Sequence, residues 1–158
     1  MVSTTDGLEN IRTTTHYYYN DIIVISIDPE GQIEWTEKIA KRQHTVNDFG
    51  YYSSYALAID DDKMNFIFND NIKNLVSSAM TKGKLKGLVY NFSKSFKWSV
   101  TVLVQLDSDG RQVKEALFNT KEAKFLIRPK VAKQISNNEL VIYGQKKKAE
   151  RFGKITFK

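Results

Sequence analysis

Residues 21–74 read DIIVISIDPEGQIEWTEKIAKRQHTVNDFGYYSSYALAIDDDKMNFIFNDNIKN. Ile22 to Ile27 is a short, β-branched apolar run, which predicts a buried strand. Asp28-Pro29-Glu30-Gly31 follows as a turn. Asp can accept from the backbone two residues on, Pro presets φ, and Gly takes the left-handed position. Gln32 to Ile39 then alternates, with Ile33, Trp35 and Ile39 on one face, so Trp35 is expected to be buried. Together these residues form a β-hairpin with a bulged turn. Lys41 to Gly50 is a polar loop, Tyr51 to Ile59 resumes strand character, and Asp60-Asp61-Asp62 turns the chain into a strand at Met64 to Phe68. Asn69 to Asn74 is again polar and turn-like, and Leu75 to Met80 reads as a single helical turn.

Upstream, residues 1–15 are a Thr-rich polar lead-in and His16 to Tyr19 a short strand. Downstream, a strand is expected at Leu88 to Phe92 within the Lys- and Gly-bearing stretch Lys82 to Lys97. From Trp98 the opening pattern returns. Val100 to Leu106 is a strand, Asp107-Ser108-Asp109-Gly110 a turn, and Gln112 to Phe118 a strand. Phe125–Ile127 and Val131–Ile135 flank Arg128-Pro129, which bends that strand or places it at an edge, because Pro cannot donate to a ladder. Leu140 to Tyr143 and Gly153 to Phe157 complete the strands.

The two glycine turns lie 79 positions apart, and IIVISIDPEG (22–31) matches TVLVQLDSDG (101–110) in apolar pattern and turn chemistry. KMNFI (63–67) and ELVIY (139–143) lie 76 apart. The expected organisation is one all-β unit over residues 1–158, with an internal repeat of about 21–98 and 99–158, each copy a set of antiparallel hairpins like a propeller blade. The hairpin IDPEGQIEW, followed by KRQ, YYSSYAL and FIFNDNIKN, resembles the C-terminal portion of uncharacterised bacterial β-propeller-like repeat proteins. The terminal run IRPKVAKQISNNELVIYGQKKKAERFGKITF is similar to how such chains end. The resemblance spans most of residues 20–158 and implies propeller-like repeats with loop faces that bind partners, but no activity. A closed propeller needs at least about four blades. The strands here suffice for roughly two, so the expectation is completion by a further chain, an oligomer, or packing as a compact β-sandwich or open barrel.

Composition narrows the function classes. The chain has 158 residues and no cysteine, which excludes disulfides, thiolate metal sites and cysteine nucleophiles. No apolar run is long enough to span a bilayer as a helix. The opening MVSTTDGLENIRTTTHYYY has no basic region followed by an apolar run and so does not read as a signal peptide. Compartment stays open, and a segment upstream of Met1 would leave an extracytoplasmic location available. Charge is uneven: residues 121–158 carry 11 Lys and Arg against 3 Asp and Glu, whereas residues 1–120 carry 13 against 15. A basic end suits an acidic partner or nucleic acid, and equally a solvated Lys-rich surface.

Candidate chemistry rests on two polar loops. Lys41, Arg42 and Gln43 offer several donors after a strand, suited to an anion, sugar or peptide group. Asn69, Asp70, Asn71 and Asn74 follow another strand; their side chains mimic turn hydrogen bonds or present oxygens to a ligand. The competing reading of both loops is a connection whose polar groups satisfy neighbouring carbonyls. Neither Asp60–Asp62 nor Asp107–Gly110 has the ligand spacing of a calcium loop. His16 and His44, the only histidines, have no evident partner, and there is no nucleophile elbow or phosphate-binding glycine loop. No catalytic residue, metal or cofactor is therefore assigned. The expected function is a non-enzymatic binding or interaction module for a protein, small-molecule or glycan ligand. The alternatives are nucleic-acid binding through the basic C-terminal part and, behind that, a fragment of a glycan hydrolase.

Overall fold

The structure, a computed structural model, describes residues 2–6, 10–75, 88–146 and 148–157. It is built from antiparallel strands. These are β1 (Val2–Asp6), β2 (Asn10–Thr14), β3 (His16–Tyr19), β4 (Ile22–Ile27), β5 (Ile33–Ile39), β6 (Gln43–Val46), β7 (Ala56–Asp60) and β8 (Lys63–Asn71). After residues 88–98 come β9 (Ser99–Leu106), β10 (Gln112–Asn119), a helical turn (Thr120–Ala123), β11 (Leu126–Ile127), a 3-10 turn (Pro129–Val131), β12 (Lys133–Ser136), β13 (Glu139–Lys146) and β14 (Ala149–Thr156). The Thr-rich start is a hairpin, β1–β2, rather than an irregular lead-in. Tyr51 to Tyr55 forms turns, so the strand expected from Tyr51 begins at Ala56. Residues 88–92 are irregular rather than a strand. The helical turn expected at Leu75–Met80 is helical at 72–75 and otherwise lies outside the described residues, as do residues 82–87 of the stretch Lys82–Lys97.

The centre is a four-stranded sheet in the order β10-β9-β8-β7. Its two inner strands are apolar on both faces, and both faces are covered. On one face, Phe66 and Phe68 of β8 with Val100, Val102, Val104 and Leu106 of β9 pack against Ile22, Ile39, Val24 and Trp35 of the β4–β5 hairpin. On the other, Ile67 and Leu103 with Ala56 and Ala58 of β7 pack against Ile127, Leu140, Ile142 and Phe157 of the C-terminal sheet. That sheet runs β11-β13-β12, with β14 also paired to β13. Burial on both faces explains why β9 reads as a near-continuous apolar run and β8 carries Phe66, Ile67 and Phe68 in succession. Strands from both proposed repeats share the central sheet: β7–β8 come from the first and β9–β10 from the second. The chain thus buries its sheets against one another instead of leaving an open arc.

The β4–β5 hairpin departs from its sequence reading in two ways. Only Ile22 of the run Ile22–Ile27 is fully buried, because a two-stranded outer layer touches the core with one face. Trp35 is half-buried and Ile33 exposed, because the register shifts at Ser26/Ile27 and sets Ile33 at the strand end, beyond the core.

The two glycine turns carry the same hydrogen bonds. Asp28 N donates to Gln32 O, Gly31 N to Asp28 O, and Gln32 N to Asp28 Oδ1 at 2.7 Å. Asp107 N donates to Arg111 O, Gly110 N to Asp107 O, and Arg111 N to Asp107 Oδ1 at 2.8 Å. Both glycines have positive φ, +86° at Gly31 and +78° at Gly110, as the turn chemistry demands. Their surroundings differ. A Cβ on Gly31 would meet nothing within 4 Å, whereas one on Gly110 would stand 3.0 Å from the Trp35 ring. Gly31→Ala is therefore expected to cost about 1 kcal/mol in backbone strain, and Gly110→Ala about 2–3 kcal/mol because the indole must also move. Urea unfolding of the two variants checks this, and equal losses would contradict the packing of Trp35 on Gly110.

Candidate functional site

Six of the seven residues singled out in the two polar loops come together in one buried hydrogen-bonded cluster. Strand β8 ends in Asn69-Asp70-Asn71, and alternation sends each side chain to a different neighbour. Asn69 points towards the C-terminal sheet: its Nδ2 donates to Tyr52 O at 2.9 Å and Ile127 O at 2.8 Å, and its Oδ1 accepts from Thr101 Oγ1 at 3.3 Å. Asp70 points the other way, beneath the β4–β5 side of the sheet. Its Oδ1 accepts from Asn71 N at 2.8 Å and Asn74 Nδ2 at 2.6 Å, and its Oδ2 accepts from Lys114 Nζ at 2.7 Å. Asn71 Nδ2 donates to Asn91 O at 2.8 Å. Asn74 grips the backbone of Tyr90 twice, donating to its carbonyl at 3.0 Å and accepting from its N–H at 2.8 Å.

The other loop locks into this cluster from above. Gln43 is fully buried; its Nε2 donates to Asn69 O at 2.8 Å and its Oε1 accepts from Ser54 N at 2.8 Å and from Lys41 Nζ at 3.0 Å. Lys41 is buried as well, and its Nζ also donates to Tyr19 O at 2.8 Å. Burial pushes the Lys41 ammonium down from 10.5 to about 8, against the pull of the Asp70 and Asp21 carboxylates. Lys41 and Lys114 both lie over the Phe68 ring, at 5.9 and 5.4 Å from its centroid. These side chains are saturated by protein groups, so for Gln43, Asn69, Asp70, Asn71 and Asn74 the reading as internal hydrogen-bond partners prevails over direct ligand contact.

Arg42 is the exception. Its backbone is pinned by Phe92 N, which donates to Arg42 O at 2.8 Å, while its side chain is exposed. Arg42 and Lys41 border a cleft of about 500 Å³, lined also by Asn20, Asp21, Lys38, Leu88 and Val89. Lys38 faces Asp21 at 3.6 Å, so three cations share the lining with a single carboxylate. Asn20, Asp21, Lys38, Leu88 and Val89 escaped the sequence reading. Asp21 and Lys38 sit at the open end of the β4–β5 ladder, where Ile23 pairs with Lys38; that pairing was legible once the bulge is known. Leu88 and Val89 arrive through the Asn74 grip on Tyr90, which no local pattern announces.

The two histidines do have a partner, namely each other. Across β3 and β6, His16 Nδ1 lies 2.8 Å from His44 Nε2, and Tyr18 stacks on His44 with ring centroids 4.4 Å apart. Among the described residues no group of three or more His, Asp or Glu side chains could hold a metal ion, and no helix is long and apolar enough to cross a membrane. No family model, curated protein or solved structure matches the chain.

Proposed function

We propose that the chain is a non-catalytic binding module whose cleft beside Lys41 and Arg42 receives the acidic group of a ligand. The observation that carries this reading is Arg42, whose side chain is exposed at the cleft while Lys38 faces Asp21 and the Lys41 ammonium is turned inward onto Tyr19 O and Gln43 Oε1. The guanidinium of Arg42 has the fork geometry that carboxylates and phosphates accept. Leu88 and Val89 supply an apolar wall for the remainder of the ligand. The buried cluster beneath serves as the rigid support, holding Lys41 and the 88–92 segment in place. Inorganic phosphate and succinate, titrated separately while amide NMR signals are followed, are expected to shift residues 38–42 and 88–89. Arg42→Ala is expected to weaken that response about tenfold, the loss of one charge-assisted contact. Binding indifferent to Arg42→Ala, or shifts elsewhere, would overturn the assignment.

The nucleic-acid reading draws on a different surface. Phe49, Tyr51, Arg128, Tyr143 and Phe152 form a continuous ribbon of ring and cation contacts, with successive centroid distances of 5.4, 4.1, 5.6 and 5.2 Å. Such a ribbon on a basic segment suits stacked bases. A single-stranded oligonucleotide serves as a further arm of the same titration. Shifts at this ribbon that fade with added salt favour this reading over the cleft.

A further inference from the structure

On its outer face the β4–β5 hairpin presents an uncovered apolar stripe along β4, beside the exposed Lys38 and Thr36 of β5. Ile23, Ile25 and Ile27 are between 51% and 59% exposed, and Ile33, paired with Ile27, is exposed beside them. Single exposed isoleucines need no explanation, but a contiguous stripe does. A strand apolar on both faces is the signature of one covered on both.

The chain itself shows what such a cover looks like. The offset of 79 positions that relates the two glycine turns sets Ile23, Ile25 and Ile27 against Val102, Val104 and Leu106. Those three are fully buried, and the element that buries them is the β4–β5 hairpin. The same offset sets Gly31 against Gly110 and Pro29 against Ser108. At Gly110 the Trp35 indole lies against the bare α-carbon, and its Nε1 donates to Ser108 O at 2.8 Å. At Gly31 the corresponding space is open. One hairpin thus seats on the next through an aliphatic stripe and an aromatic ring in a glycine socket. The first hairpin presents that stripe and socket again, unfilled.

We propose that the outer face of β4–β5 is a docking surface for a further β-hairpin of the same kind, supplied by another polypeptide. It lays aliphatic side chains on Ile23, Ile25 and Ile27 and a ring over Gly31, with an indole N–H donating to the Pro29 carbonyl. The interface continues the one already present between β4–β5 and β9–β10, and it borders the cleft at Lys38, the partner of Ile23. An intact second copy of this chain is the wrong donor, because its Trp35 already occupies its own Gly110 socket. A contiguous apolar stripe open to water is a feature soluble proteins avoid, and this partner covers it.

The test uses the full chain and a peptide of residues 21–40 closed head to tail, so that the hairpin is formed before it binds, as its own NMR spectrum verifies. The expected result is amide shifts confined to β4, β5 and the turn at residues 28–31. Affinity is expected to fall about tenfold or more with Trp35→Ala in the peptide, and likewise with Ile25→Lys in the chain. Ile25 is exposed, so signals away from the hairpin should stay in place in that variant. No shifts at millimolar peptide, shifts centred elsewhere, or binding insensitive to the peptide's Trp35→Ala would overturn the proposal. So would self-association of the chain that light scattering detects and Ile25→Lys abolishes, since the face would then belong to a second copy.

Discussion

Asp70→Ala is expected to destabilise the fold by about 3–5 kcal/mol, the cost of removing one partner from a buried ion pair. The Asp70 side chain is 0% exposed and that of Lys114 19% exposed. Truncation strands three donors at once: the Lys114 ammonium, Asn74 Nδ2 and the Asn71 N–H. It also removes the larger of the two carboxylate attractions on Lys41, whose ammonium has little access to water. Asp70→Asn separates charge from shape, because it keeps an acceptor for Asn74 while leaving Lys114 without its carboxylate and Lys41 with Asp21 alone. The pair is coupled, so Asp70→Ala combined with Lys114→Ala should cost clearly less than the two single losses added together. Urea unfolding of the four proteins decides. A loss below about 1 kcal/mol for Asp70→Ala, or strict additivity, would mean that Asp70 behaves as a solvated surface carboxylate.

The strands of the core were legible because their chemistry is local. β-Branched runs bounded by Asp-x-x-Gly turns announce hairpins at Gly31 and Gly110, and both glycines adopt the left-handed geometry that the turn type requires. Which faces those strands bury was less legible. Ile22–Ile27 and Val100–Leu106 look alike in sequence, yet the second is sandwiched between layers while the first is covered on one side. That difference is set by tertiary position, which a six-residue pattern does not encode. Polar residues were legible as a group, with their role left open between a ligand site and internal hydrogen-bond partners. Asn69, Asp70, Asn71 and Asn74 stood out because Asn and Asp are depleted from strands, but the same signal accompanies a ligand site and an internal network. What distinguishes the two is the presence of Tyr52, Ile127 and Tyr90 carbonyls at hydrogen-bond distance, contributed by segments far away in the chain. Lys114 escaped notice because an alternating lysine on a partly exposed strand usually reaches water, and here it reaches Asp70 instead.

The contribution of Lys41 to the stability of the fold is expected to rise with pH between about 8 and 10.5. In the folded chain its ammonium gives up its proton near 8; in the unfolded chain it does so near 10.5. Below pH 8 both states hold the proton and the cost of burying a cation is present in full. Between the two values the unfolded state binds more protons than the folded one, so unfolding becomes less favourable as pH increases. Above 10.5 both states are neutral at this site and the gain levels off. The depression corresponds to about 3 kcal/mol at most. Lys41→Met removes the titration while keeping an unbranched side chain of similar length. Contributions common to both proteins cancel in the difference. The stability of the wild-type chain minus that of Lys41→Met, from urea unfolding at a series of pH values, should be level from pH 6 to about 8 and then climb towards the 3 kcal/mol ceiling. The neutral amine that remains still donates to Tyr19 O and Gln43 Oε1, so deprotonation relieves the charge without orphaning those acceptors. A difference that is level across the whole range would show that water reaches Lys41 freely. A difference that is level to about 10.5 and falls beyond it would show that its attraction to Asp70 and Asp21 outweighs burial.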